Sequence, residues 1–200
     1  MPDTHFCVAL LKLEVYFDGV HSAIPTPRLP GLKLLACPKQ LNTLKTTTYR
    51  SWWIDGCTGW QETLESLYSK IHTEGPFQGV LGFSQGATTA GLLCTKKIAR
   101  DMSFYPRLAI LLSGRRSIVH DAEYEAGMLS NVISLHCYGL MDQVTPPEKS
   151  VSLQKLFENA GSDLVHEFKH RRGHIIPSSD EVFRAQMLKC IEEAATAIKL

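Results

Sequence analysis

The sequence predicts an α/β fold, a mostly parallel sheet with helices on both faces. Three observations carry that reading. From Thr58 onward, short continuous apolar runs recur along the chain, as expected of strands buried on both faces. Each pair of runs is separated by room for a helix, which is the rhythm of βαβ units. The gaps are filled by stretches with helical period and their own start and stop signals.

The chain has 200 residues, enough for a single domain with one sizeable core. Lys plus Arg is 21 against 20 for Asp plus Glu, a net charge of +1. That balance gives no long-range field for nucleic acid or an anionic membrane. No apolar run approaches the roughly 20 residues of a membrane-spanning helix. The six cysteines are scattered without a C-x-x-C pair, as in reduced intracellular proteins, so a cytoplasmic location, with the nucleus as a further compartment, is expected.

Taken in order, Leu13 to Phe17 (LEVYF) reads as a strand, and a turn-rich connection follows at Ile24 to Gly31. Residues 32–48 show no convincing period, so the segment at about 22–57 is expected to be irregular. Thr58-Gly59-Trp60-Gln61 has the capping-box pattern and opens a helix with the stripe Trp60, Leu64, Leu67, Ile71. Gly75-Pro76 ends it. Strands are expected at Gly79–Phe83 (GVLGF), Leu108–Leu112 (LAILL), Val132–His136 (VISLH) and Leu164–Phe168 (LVHEF). One helix is expected over Gln85–Arg100. A second capping box, Ser178-x-x-Glu181, opens the last helix, whose stripe is Phe183, Met187, Ile191, Ala194 and Ile198.

The sharpest motif is Gly82-Phe83-Ser84-Gln85-Gly86, a G-x-S-x-G between a predicted strand and a predicted helix. That context reads as a nucleophile elbow. The serine sits in a strained turn with its hydroxyl pushed out above the sheet, and the glycines let strand and helix approach. The N–H groups at the helix start favour a developing oxyanion, and the backbone N–H of Gln85 is the donor next to the nucleophile. A serine needs a base and an orienting acid. Asp142 follows a strand within Gly139 to Pro146 (G-x-x-D-x-V-x-P), the place for the acid; a solvated turn aspartate is the alternative. His174 lies between the last strand and last helix, where a loop can fold back over the elbow. His166, His170 and His174 are spaced by four but straddle a strand and a loop, so they do not form a metal-binding face. His72 and His136 read as structural. No metal or cofactor is expected.

Together, Tyr49-Arg50-Ser51-Trp52-Trp53, the run Gly75 to Ala87, Leu111-Leu112-Ser113-Gly114, the Gly139 to Pro146 turn and Gly173-His174 with Pro177 resemble the FSH-type serine hydrolases. These are α/β-hydrolases that include the ovarian-cancer-associated esterase and related fungal thioesterases. Leu13 to His21 resembles the family's second strand and following loop. The resemblance implies an α/β-hydrolase-type sheet and a carboxylic-ester or thioester hydrolase with the catalytic residues Ser84, Asp142 and His174. The family opens with a strand and an H-G-x-x-Q-type loop that supplies a second oxyanion donor. No His-Gly pair precedes Ser84, and twelve residues precede Leu13, too few for a strand–helix–strand unit of about 30. The chain therefore reads as N-terminally abbreviated. His5 to Lys12 reads as the tail of a helix or an extension, and the sheet edge beside Gly79–Phe83 is expected to lack its partner. Loss of one oxyanion donor costs about a hundred- to thousandfold in turnover. A catalytically weak or inactive form acting as a binding module is the alternative function.

Arg115-Arg116 and Arg171-Arg172 leave the C-terminal ends of strands, the ligand side of such sheets. They read either as solvated loops or as a basic rim for an anionic substrate, such as a coenzyme A thioester, an acyl-carrier thioester or an acyl chain bearing a carboxylate. Trp52 and Trp53 either line the acyl pocket or pack in the core.

Overall fold

A computed structural model describes residues 8–11, 32–35, 51–54, 56–161 and 163–197. The elements are β1 (Val8–Leu11), β2 (Leu32–Leu35), α1 (Trp60–Glu74), β3 (Gly79–Phe83), α2 (Gln85–Leu93), α3 (Lys96–Asp101), β4 (Leu108–Leu112), β5 (Ile133–Gly139), α4 (Pro147–Glu158), β6 (Val165–His170) and α5 (Glu181–Ala197). They build a six-stranded sheet in the order β2-β1-β3-β4-β5-β6. The ladders β3–β4, β4–β5 and β5–β6 are parallel.

Burial alternates with the period of two that a strand imposes. Val80, Ala109, Leu111 and Val132 face a core shared with α1, α2, α3 and α4 through Leu67, Ala90, Ile98 and Leu153. Phe83, Leu108, Ile110, Leu112, Ile133 and Leu135 face the other core, where α5 contributes Phe183, Cys190 and Ala194. Both faces of β4 are buried, which is why it reads as an unbroken apolar run.

The first half departs from expectation. Val8–Leu11 is a strand, not a helix tail. It lies antiparallel against β3, with Val8 opposite Gly82 and Leu11 opposite Gly79, and Gln78 N–H donates to the Leu11 carbonyl at 2.9 Å. The β3 edge therefore has its partner. Leu32–Leu35, inside the segment read as irregular, is a strand antiparallel to β1. The expected strand at 13–17, the turn-rich connection at 24–31 and Ile198 lie outside the described residues.

Three helix boundaries differ as well. The N-cap of α1 is Gly59 at φ 84°, with no side-chain cap, because Thr58 is drawn into a β-bridge with Ile54. The expected helix over 85–100 breaks at Cys94–Thr95. There the backbone bonds sideways, with Lys96 N–H to the Gly127 carbonyl and Leu129 N–H to the Cys94 carbonyl, both at 2.9 Å. Thr95 then caps α3 by accepting from Ile98 N–H. Finally, Asp180 and not Ser178 caps α5, accepting from the N–H groups of Val182 and Phe183 at 3.0 and 3.1 Å.

Candidate active site

Ser84 stands at the end of β3 with φ 57° and ψ −120°, as the N-cap of α2. A left-handed serine is strained, and the sheet holds it there. Ser84 N–H donates to the Leu112 carbonyl at 2.8 Å, continuing the β3–β4 ladder past the strand. A Cβ on Gly82 would lie 2.2 Å from the Gly86 carbonyl oxygen. Only glycine lets strand and helix close around the serine so tightly.

His174 reaches Ser84 from the loop after β6. Its Nε2 is 2.9 Å from Ser84 Oγ and its Nδ1 2.7 Å from Asp142 Oδ2. The Asp142 side chain is fully buried and that of His174 is 9% exposed. Asp142 Oδ1 accepts from the N–H groups of Val144 and Thr145 at 2.9 and 2.8 Å, which aims its other oxygen at the ring. A carboxylate only accepts, so Nδ1 carries the proton and Nε2 is left to accept from the Ser84 hydroxyl. The His174 ring lies against Phe83 with centroids 4.8 Å apart. A Cβ on Gly139 would lie 2.3 Å from the Arg172 carbonyl oxygen and 2.5 Å from that of Gly173. The histidine loop therefore rests directly on the end of β5.

The sequence motifs did not indicate the use of the Gln85 side chain. Its Oε1 accepts from Ser51 Oγ at 2.9 Å and from Trp52 N–H at 3.0 Å, and its Nε2 donates to the Trp53 carbonyl at 2.9 Å. The amide thus holds residues 51–53 against the elbow. Trp52 and Trp53, read as a pair, separate. Trp52 is 1% exposed in the core. Trp53 lines a cavity of about 220 Å³ with Ser51, Ser84, Gln85, Thr88, Arg115, Val144 and Thr145. Trp53 is braced by Trp60 and His120, with ring centroids 5.5 and 4.7 Å away. Burial lowers the pKa of His120.

The four arginines do not form one rim. Arg115 borders the Ser84 cavity. Arg116 spends its charge on Asp121, with Nε and Nη2 at 2.9 and 2.6 Å from one carboxylate oxygen. Arg171 and Arg172 are exposed and do not line that cavity. The other described histidines each have a partner at one ring nitrogen. His166 Nε2 is 3.1 Å from Glu193, His170 Nδ1 accepts from Arg172 N–H, and His72 Nε2 is 3.0 Å from the Met102 carbonyl. His136 Nε2 is 3.2 Å from Ser134 Oγ, and burial pulls its pKa down to about 3.

Residues 4–186 match a family model described as "Serine hydrolase (FSH1)". A Drosophila melanogaster protein named Esterase CG5412 is 37% identical over 145 residues, 65% of this chain and 50% of its own. The human protein named Esterase OVCA2 is 37% identical over 126 residues, 62% of this chain and 53% of its own. The chain spans about half the length of the curated relatives it matches. Among solved structures, a Bacillus cereus carboxylesterase superposes with a TM-score of 0.50 at 16% identity, covering 76% of this chain and 72% of its own. That likeness is one of fold, the α/β-hydrolase sheet. Among the described residues, no helix is long and apolar enough to cross a membrane.

Proposed function

Because the chain belongs to the FSH1 serine hydrolase family, we infer that it is a serine hydrolase of carboxylic esters or acyl thioesters that works through an acyl-enzyme on Ser84. The observation that carries this reading is the unbroken relay from Ser84 Oγ through His174 to buried Asp142, at 2.9 and 2.7 Å.

The proposed chemistry follows from that geometry. Ser84 Oγ attacks the substrate carbonyl as its proton passes to His174 Nε2, and Asp142 stabilises the imidazolium. The carbonyl oxygen becomes an oxyanion facing the Gln85 N–H, the first of α2 and so without a partner inside the helix. When the tetrahedral adduct collapses, the bond to the leaving oxygen or sulfur breaks and that atom takes the proton from His174. An alcohol or thiol departs, leaving an acyl ester on Ser84. Water repeats the sequence, giving its proton to His174 and displacing Ser84 as a carboxylic acid forms. No step calls for a cofactor. The whole chain acts as one domain in this reading, on a small-molecule ester or on a thioester of coenzyme A or an acyl carrier. The free thiols of Cys57, Cys94, Cys137 and Cys190 fit a cytoplasmic setting.

Hydrolysis of p-nitrophenyl butyrate tests the proposal. The protein should release p-nitrophenol with saturation kinetics, and Ser84→Ala should reduce release to background while keeping the parent circular-dichroism spectrum. Equal turnover by the alanine variant would overturn it.

A further inference from the structure

The cavity at Ser84 is one compartment of a longer cleft. Trp53, Gln85, Thr88 and Arg115 also wall a second compartment of about 420 Å³, which adds Arg116, Lys149, Ser117, Ser152 and the apolar Ile118 and Val119. Among the described residues no aspartate or glutamate lines either compartment. The contrast is the groove beside α1 and α3, which carries Glu65, Asp101 and Glu123 with Lys97.

Two of the three cations in the far compartment are left without an ion pair among the described residues. Arg116 is neutralised by Asp121. Arg115 and Lys149 have no acidic partner among the described residues. Hydrogen bonds hold the chain at Arg115 and beside Lys149. Arg115 N–H donates to Thr88 Oγ1 at 3.2 Å, and Ser150 Oγ, next to Lys149, donates to the Gly114 carbonyl at 2.8 Å. The start of α4 is thereby clamped to the loop after β4.

The direction of the cleft says which end of a substrate enters it. The leaving atom must lie against His174 Nε2, which gives it a proton, and the carbonyl oxygen must face Gln85 N–H. The acyl chain takes the remaining direction. Ser84 lines the near compartment only, Gln85, Thr88 and Arg115 line both, and His174 lines neither.

We propose that Arg115 and Lys149 form an anion subsite that selects acyl groups ending in a carboxylate, the monoesters of dicarboxylic acids. The inference rests on the hydrolase reading above. A carboxylate there gains two charge-assisted contacts, weakened by exposure and by salt.

The test compares kcat/KM for the p-nitrophenyl monoester of adipic acid with that for p-nitrophenyl hexanoate, in the parent and in Arg115→Gln/Lys149→Gln. Taking the ratio within each protein cancels any general damage. The adipoyl-to-hexanoyl ratio should fall about tenfold in the double variant, and in the parent it should fall as salt rises. An unchanged ratio would overturn the subsite. A second arm compares hexanoyl-coenzyme A with S-hexanoyl-N-acetylcysteamine. If only that ratio falls in the variant, the cations serve the leaving group and the acyl-side assignment is wrong. Binding of monomethyl adipate to the Ser84→Ala protein, by calorimetry, needs no turnover and so separates this proposal from the hydrolase reading. The affinity should drop about tenfold when both cations are replaced, and affinity independent of them would contradict the subsite.

Discussion

Gln85 Oε1 and Ser51 Oγ, 34 residues apart in sequence, lie 2.9 Å from each other, tying the start of the Ser51–Trp53 segment to the residue beside the candidate nucleophile. The same oxygen faces the Trp52 N–H and the amide nitrogen faces the Trp53 carbonyl. The neighbours are a donor on one side and an acceptor on the other, so the amide has one orientation that satisfies all of them. Gln85 thus has two separable roles in this account. Its backbone N–H is the proposed oxyanion donor, and its side chain holds the Trp53 wall of the cavity.

Gln85→Ala separates these roles. It keeps the backbone donor and removes three side-chain hydrogen bonds, each worth about 1 kcal/mol net. The wall should loosen, raising KM for p-nitrophenyl esters by about tenfold, while a fluorophosphonate still labels Ser84. An unchanged KM would mean that residues 51–53 hold their place without the amide.

Gly139→Ala tests the seat of the histidine loop. The new Cβ meets two carbonyl oxygens of Arg172 and Gly173 at 2.3 and 2.5 Å, so the loop must move and take His174 with it. A displacement of about 1 Å at a catalytic group costs on the order of a hundredfold. Turnover should fall that far with the melting temperature lowered by only a few degrees. Parent-level kcat would show that the loop is not seated on Gly139.

Asp142→Asn tests the tautomer argument. The asparagine oxygen can still accept from Val144 and Thr145 N–H, which leaves the NH₂ group facing His174 Nδ1. The ring must then carry its proton on Nε2, where it cannot accept from Ser84. A loss of about 10⁴-fold in kcat is expected, read from burst and steady-state rates on p-nitrophenyl butyrate. A loss under tenfold would contradict the assignment of Asp142 as the orienting acid.

Buried His136 makes stability depend on pH. Its pKa falls to about 3 in the fold against about 6.5 in the unfolded chain. The unfolded state therefore binds a proton that the folded state refuses, and stability falls as pH drops from about 6.5 toward 3. The cost reaches on the order of 2 kcal/mol by pH 5. His120 and His170, also lowered by burial, act in the same direction. Urea midpoints at pH 7 and pH 5 should differ less in His136→Gln than in the parent. Equal differences would mean that His136 is not neutral in the fold.

Much of this arrangement was legible in the sequence where one local pattern fixed one local structure. GVLGF followed by Ser84 specified strand, turn and helix. Asp142 and His174 could be read because each follows a strand in the expected chain order. The misread parts depend on long-range partners. Val8–Leu11 is a short apolar run, equally suited to a helix or a strand, until β3 pairs with it. Leu32–Leu35 has no period of its own and is a strand because β1 lies beside it. Thr58 carried a valid capping signal but was taken by Ile54. The adjacent arginine pairs looked alike in sequence. Asp121 neutralises Arg116, and Arg171 and Arg172 leave the opposite side of β5, so only Arg115 reaches the cavity at Ser84. Lys149 carried no signal, since its place beside Arg115 comes from the Ser150–Gly114 hydrogen bond.

The central claim is that His174 activates Ser84 for attack. The most direct measurement is peptide mass spectrometry after reaction with a fluorophosphonate, which reports attack at one residue without a choice of substrate. The account predicts one phosphonyl adduct on the peptide containing Ser84, absent from Ser84→Ala and slowed at least a hundredfold in His174→Ala. No adduct on the folded parent, or one on a residue other than Ser84, would contradict it.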